Sequence, residues 1–323
     1  MTKYKHLNLT EREFISILMA EGNSLREIAR KLNRSASTLS REIQQNAPSV
    51  YKGYYLGHKA QERAEKRKSH AHQRPRLKNP SIIQYVEDKL KISWSPEQIA
   101  GRISLDHPGF SISHEAVYQY IYKEHHELIP CLARAHRKRS KRGHTRKHQK
   151  SHIPGRVSID NRPAHIQKRK QAGHWESDTM ISKQHLSALL VLVERKSRLT
   201  KMKKLQRKTA HENKNGIVHR LRHLPPKLRK SITYDNGSEN TEHKQVNVKL
   251  GTRSYFCNPY HSWEKGTVEN TIGLIRRFFP KKADFTHLSP TQVRRVEFLL
   301  NTRPRKCLNY LTPIEVLANE CCT

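Results

Sequence analysis

Acidic side chains are scarce in this chain. Asp and Glu number 28 against 63 Lys and Arg in 323 residues, giving a formal net charge of +35 and a pI near 10.3. That imbalance exceeds what solubility requires and matches the electrostatic footprint of a nucleic-acid binder. Hydrophobic residues are also few, at 34%, which is low for one packed globule, so two or three domains joined by linkers are expected. Long apolar runs are missing. The longest spans residues 188–193, too short to cross a bilayer, and the first six residues carry no apolar signal core. The charge is spread along the whole length rather than gathered on one amphipathic helix, which argues against a membrane partner. A cytoplasmic location is expected. Five cysteines (Cys131, Cys257, Cys307, Cys321 and Cys322) form no C-x-x-C pair, and an odd count in a reducing compartment implies free thiols. His144, His148 and His152 recur every four residues among Lys and Arg with no thiolate or carboxylate partner, so they read as solvated linker rather than a metal site.

What is present first is a run of helix signals. Thr10-Glu11-Arg12-Glu13 reads as a capping box opening a helix with Phe14, Ile17 and Leu18 on its apolar face, and Ser24-Leu25-Arg26-Glu27 opens a second. A third follows a short turn at Asn33-Arg34, with Ala36, Leu39 and Ile43 inward and Ser37, Thr38 and Arg41 outward. Three short helices with a tight second turn form the helix-turn-helix pattern, in which the outward residues read base edges. A small structural three-helix bundle fits the isolated pattern equally; the basic context favours DNA. The expected organisation is a helix-turn-helix domain over 1–48, a basic linker or exposed basic helix over 49–80, and a second, weaker helix-turn-helix candidate over 81–125. A basic linker over 126–162 and a last domain over 163–323 complete it. In the second helical segment, Ser95-Pro96-Glu97-Gln98 and Ser113 mark helix starts.

The last segment alternates strand and helix signals. Residues 175–181, 188–193 and 199–205 read as an antiparallel meander, followed by a helix from Thr209 to about Leu224, a short strand at 232–234, a helix over 239–250, and a strand at 252–256. Helices over about 263–279, 289–301 and 313–319 end the chain. This is a ribonuclease H-like order, giving a multidomain fold class: an all-α helix-turn-helix region followed by an α/β catalytic domain.

Against the basic background, three carboxylates stand in distinctive surroundings: Asp178, Asp235 and Glu269, separated by 56 and then 33 residues. Attack on a phosphodiester needs an acidified nucleophile, a stabilised leaving oxygen and neutralised charge. Two divalent cations roughly 3.5–4 Å apart supply all three, and carboxylates are the ligands Mg²⁺ prefers. Each acid taken alone is more often a surface ion-pair partner. Glu176 is a rival ligand, since it lies two residues before Asp178 on the same strand and points to the same side. Val268, Ile272, Ile275 and Phe279 form a core-facing stripe on the helix of Glu269, and Arg276 returns to the Glu269 face within reach of a substrate phosphate.

These residues resemble the bacterial insertion-sequence transposases of the IS-thirty family, with a ribonuclease H-like integrase-type core and an Asp-Asp-Glu triad. The similar stretches are Gly173-His174-Trp175-Glu176-x-Asp178, Thr233-x-Asp235-Asn236-Gly237-x-Glu239, residues 255–270 including Trp263-Glu264-Lys265-Gly266-Thr267-Val268-Glu269-Asn270, and Asn301-Thr302-Arg303-Pro304-Arg305-Lys306-Cys307-Leu308. With the N-terminal helices, they cover nearly the whole chain. The resemblance implies Asp178 rather than Glu176 as metal ligand, with Asp235, Glu269 and Arg276 completing a site for two Mg²⁺ (or Mn²⁺) ions. It further implies cleavage and strand transfer of double-stranded DNA, terminal inverted repeats held by the helix-turn-helix, a homo-oligomer on DNA, and a bacterial, nucleoid-associated location. Departures from the family pattern are Ser177 and Thr179 beside Asp178, Asn240 in place of an aromatic, and Ile272 in place of Asn. The competing expectations are a DNA-binding repressor whose catalytic core has decayed, and a processing ribonuclease on the same core.

Overall fold

The computed structural model describes residues 6–48, 54–73, 77–132, 153–183, 187–259 and 261–322. They fall into two compact units, 1–76 and 77–323. His144, His148, His152 and most of the 126–162 segment lie outside the described residues.

In the first unit, α1 (Leu9–Ala20), α2 (Leu25–Lys31) and α3 (Ala36–Asn46) form the three-helix arrangement, and α4 (Gly57–Gln73) packs across α1. The start of α1 differs from the sequence reading. Asn8, not Thr10, is the N-cap, paired reciprocally with Glu11 in the capping box. The buried stripe also differs. Ile15 and Leu18 are buried, whereas Phe14 and Ile17 are more than half exposed. The expected box at Ser24 and Glu27 is present. A buried ion pair crosses the unit: Arg12 Nε lies 2.8 Å from Glu42 Oε1, which also accepts from Asn46 Nδ2 and Tyr55 Oη. Buried charges persist when paired and fully hydrogen-bonded, as here. Residues 49–80 are thus not all linker. Tyr55 and Ala60 enter the core with Ile15, Ile28 and Leu39, and a Cβ at Gly57 would meet Glu13 N at 2.6 Å, so glycine permits the close crossing of α4 on α1.

The second unit begins with a helical module, α5 (Pro80–Lys91), α6 (Pro96–Asp106) and α7 (His114–Lys123), built around Val86, Leu90, Ile99, Ile103, Val117 and Ile121. Ser95 and Ser113 cap α6 and α7 as the sequence suggested. After α8 (Ala164–Gln167) come β1 (His174–Ile181), β2 (Ala188–Glu194), β3 (Thr200–Leu205), α9 (Ala210–Leu221), β4 (Ser231–Tyr234), α10 (His243–Leu250) and β5 (Arg253–Phe256). The helices α11 (Gly266–Ile275), α12 (Pro290–Asn301) and α13 (Pro313–Cys322) follow.

The strands form one sheet in the order β3-β2-β1-β4-β5. The meander is antiparallel, while β4 and β5 are parallel to β1, the ribonuclease H-like arrangement expected. Every residue of β2 is buried, which explains its unbroken apolar sequence: the strand is covered on both faces. Leu190 and Leu192 face one layer with Ile217 and Leu221 of α9 and Val246 and Leu250 of α10. Leu189, Val191 and Val193 face the other, with Val268 and Ile275 of α11 and Val296 and Leu300 of α12. The helical module docks on the end of this domain. Arg102 of α6 makes two bonds of 2.6–2.7 Å to Glu315 of α13 and one to the Tyr310 carbonyl, and Arg277 donates to the Ser93 and Cys131 carbonyls.

Candidate active site

Strand pairing brings the first two acids together. Glu176 of β1 is in register with Thr233 of β4 in a parallel pair, so the residues two positions further on, Asp178 and Asp235, emerge side by side. Both converge on one cation. Lys265 Nζ lies 3.3 Å from Asp235 Oδ2 and 3.6 Å from Asp178 Oδ1, and donates to the Ser177 carbonyl at 3.2 Å. Lys265 is almost fully buried, and the two neighbouring carboxylates hold its pKa above the usual lysine value against the effect of burial. Burial pushes the Asp178 carboxyl up, opposed by Lys265 and reinforced by Asp235.

Glu269 and Arg276 join Asp178 along a separate edge. Together with Thr179, Met180, Ile181, Ile272 and Gly273 they line an open cavity of about 480 Å³. Glu269 sits in the first turn of α11, and Arg276 is the C-cap of the same helix, so the seven-residue spacing places both at one wall. Asp235 is not among the residues of that wall. Among the described residues, no group of three His, Cys, Asp or Glu side chains is close enough to hold a metal ion as it stands. The fit is nonetheless chemical: two carboxylates already coordinate a buried ammonium at a cation-sized position, and the donors are the oxygen ligands Mg²⁺ selects.

Glu176, the rival ligand, is committed elsewhere. It is fully buried, lies 3.2 Å from Arg195 Nε, and accepts the Val268 amide of α11 at 2.9 Å, pinning the helix of Glu269 to β1. Asn240, a departure from the family pattern, is a positioning group: its Nδ2 donates to Asp235 Oδ1 at 2.8 Å, and Asn213 of α9 donates to Asn240 Oδ1 at 2.9 Å. The other departure, Ile272, is a half-buried apolar residue in the cavity wall. Sequence reasoning missed Lys265 and the Asn213–Asn240 relay. The available signal for Lys265 was its place four residues before Glu269, one helical turn away.

In the first unit, the outward face of α3 carries Ser37, Thr38 and Arg41. Ser37 and Arg41 are exposed, whereas Thr38 is half-buried with its hydroxyl 2.8 Å from that of the N-cap Ser35. The described residues contain no helix long and apolar enough to cross a membrane. Cys131, Cys257, Cys307 and Cys321 are free thiols, and burial raises that of Cys257 to about 12.

Residues 3–46 match a family described as helix-turn-helix domain. The chain is 37% identical to the transposase for insertion sequence element IS1086 of Cupriavidus metallidurans, over 98% of this chain and 95% of the relative. It is equally identical to the transposase InsI for insertion sequence element IS30A of Escherichia coli (97% and 83%) and to the transposase for insertion sequence element IS4351 of Bacteroides fragilis (96% and 95%). Among solved structures, the catalytic core domain of BIV integrase covers 46% of this chain and 96% of its own, with a TM-score of 0.36 and 19% identity. Identity at this level runs from the helix-turn-helix through the sheet to the final helix, and the chain belongs to the IS30 family of insertion-sequence transposases.

Proposed function

We propose that this transposase holds the terminal inverted repeats of its own element with the helix-turn-helix unit and cuts and joins DNA strands at Asp178, Asp235 and Glu269. The observation that carries the reading is the convergence of Asp178 and Asp235, from adjacent parallel strands, on a single buried cation beside a cavity walled by Glu269 and Arg276. Asp178, Asp235 and Glu269 would hold divalent ions, Mg²⁺ or Mn²⁺. When bound there, such ions would supply Lewis acidity toward the attacking water or hydroxyl and charge neutralisation at the phosphoryl centre. The remaining work falls to the chain. Asn240 fixes the rotamer of Asp235, Glu176 and the Val268 amide fix α11 against β1, and Arg276 offers a cation to the phosphate at the open mouth. Ser37, Thr38 and Arg41 would face the major groove. Holding both ends of an element calls for at least two copies of the chain on DNA.

The test is incubation of the full chain with a labelled duplex carrying the flanking repeat, with and without Mg²⁺. A new 3′ end at the repeat boundary, formed only with metal and lost in Asp235→Asn while end binding persists, is the expected result. Binding without cutting, where an active relative cuts, would favour the decayed repressor, a reading supported by the apolar Ile272 in the cavity wall.

A further inference from the structure

α11 has a second working face. Glu269, Ile272, Gly273 and Arg276 point to the cavity described above, whereas Gly266, Thr267, Asn270 and Thr271 line a different cavity, of about 290 Å³, on the other side of the helix. The rest of that second cavity is formed by Arg169, Arg198, Arg305 and Cys307. Three guanidiniums therefore meet at one hollow with no carboxylate in its lining.

Arg305 is the telling member. It is nine-tenths buried, yet among the described residues no Asp or Glu side chain acts on it. Its side chain donates to the Leu300 carbonyl at 3.2 Å, and its Nε, closed off from solvent, has no hydrogen-bond partner. A buried cation is ordinarily paired, since desolvation without compensation costs several kcal/mol, roughly. Its charged neighbours are other arginines, Arg198 and Arg303; the Nε of Arg198 is also buried without a partner, and its Nη1 donates to Thr267 Oγ1 at 2.9 Å. The start of α11 leaves the approach open: a Cβ at Gly266 would meet nothing within 4 Å. Guanidiniums with unpartnered Nε atoms are complementary to one chemical class, an oxyanion with several acceptor oxygens.

We propose that this pocket is a second DNA contact, which seats a backbone phosphate of the bound duplex between Arg169, Arg198 and Arg305 at the start of α11. The inference rests on the DNA-processing reading above and extends it to a site with no part in bond cleavage. With an α-helix about 10 Å across, one element would then touch the DNA backbone on one flank and present Glu269 to the scissile strand on the other. A misplaced duplex would leave the pocket empty and its arginines uncompensated, so docking and alignment are coupled through a single helix.

Cys307, exposed at the rim, allows the pocket to be read directly, with exposed Cys321 as internal reference. The full chain is labelled with a maleimide in metal-free buffer, alone, with duplex DNA, or with inorganic phosphate at matched ionic strength, and the two peptides are quantified by mass spectrometry. In parallel, duplex affinity is followed against salt for the native chain, Arg198→Gln and Arg169→Gln, the latter at an exposed position where folding is not at stake. The expected result is at least fivefold slower labelling of Cys307 by duplex with Cys321 unchanged, loss of that protection in Arg198→Gln, and a salt slope shallower by about 0.9 in each variant, the value for one phosphate contact. Protection by inorganic phosphate with an unaltered salt slope would mean a free-anion site only and would overturn the proposal. Intact duplex binding with Cys307 unprotected would overturn it too, leaving the proposed function standing. Absence of any duplex binding would instead refute that function, and the two failures are told apart without scoring cleavage.

Discussion

Lys265 Nζ sits 3.3 Å from Asp235 Oδ2, inside the notch that Asp235 shares with Asp178. A single ammonium thus offsets part of the negative charge of two carboxylates that strand pairing forces together. Replacing it with Met removes the charge and keeps the stem. The metal-free Lys265→Met chain is expected to be destabilised by roughly 2 kcal/mol, below the figure for a fully buried pair because Asp235 is partly solvated. Added Mg²⁺ should then raise its melting temperature by more than it raises that of the native chain. Equal metal-induced shifts in a thermal melt would show that the lysine does not share the cation position.

Asn240→Ala should cut strand cleavage by a factor on the order of 10–100, the usual effect of losing a group that orients a metal ligand. The bond at stake is the 2.8 Å contact from Nδ2 to Asp235 Oδ1. Duplex binding by the N-terminal unit is expected to be unchanged. Native cleavage rates in the variant would assign the Asn213–Asn240 pair to packing alone.

His174 bears on pH. It is buried between Ser231 Oγ (2.8 Å) and Gln171 Oε1 (3.1 Å), and burial, with the charge of Lys230 adding to it, lowers its pKa to about 4 from 6.5. The unfolded chain therefore binds the extra proton first. Stability is complete above pH 6.5 and falls as pH drops toward 4, by on the order of 3 kcal/mol. Denaturant melts across that window should show the slope, and His174→Gln should flatten it. A native chain with a flat profile from pH 6.5 to 4 would contradict the assignment.

Glu315 responds at lower pH. Hydrogen bonding to Arg102 holds its carboxyl near 2 rather than 4.5. Its contribution is present above pH 4.5 and disappears as pH falls through about 2. Because the Glu315 side chain is 39% exposed, Glu315→Gln should cost no more than about 1 kcal/mol. The effect should concentrate at the module contact as faster amide exchange in α6. Uniform change across the domain would point to a general charge effect.

The sheet was legible because its strands speak in simple periods. An unbroken apolar run such as Leu189 to Val193, bounded by polar residues and too short for a helix, fits a strand covered twice, and the short run before Asp235 fits a brief buried strand. The start of α1 was misread because Asn8–Glu11 and Thr10–Glu13 both satisfy the capping pattern; separately, Leu18 shares a face with Ile15 as well as with Phe14, and the fold buries the former pair while Phe14 and Ile17 stay exposed. α4 gave no apolar stripe. Ala60 and Gly57 pack it inward, and arginines anchor the rest, Arg63 reaching the Asn46 carbonyl and Arg67 that of Gln45. The three acids stood out because carboxylates are rare here, whereas Lys265 was camouflaged by abundance: in a chain with 63 Lys and Arg, one more carries no signal until its burial is seen.

The clasp between α6 and the chain's last helix bears on how such an element silences itself. Arg102 is held by Tyr310 and Glu315, and Gln98 by Pro304, all downstream of Asp178, Asp235 and Glu269. A gene copy with a stop codon after Asn301 would still encode the helix-turn-helix and all three acids. Its product would lack the fastening of the middle helices and the Arg305 pocket, keeping the capacity to occupy element ends while losing the frame that aligns them. Erosion at the far end of the reading frame would thereby turn a mobilising enzyme into a competitor of its intact siblings.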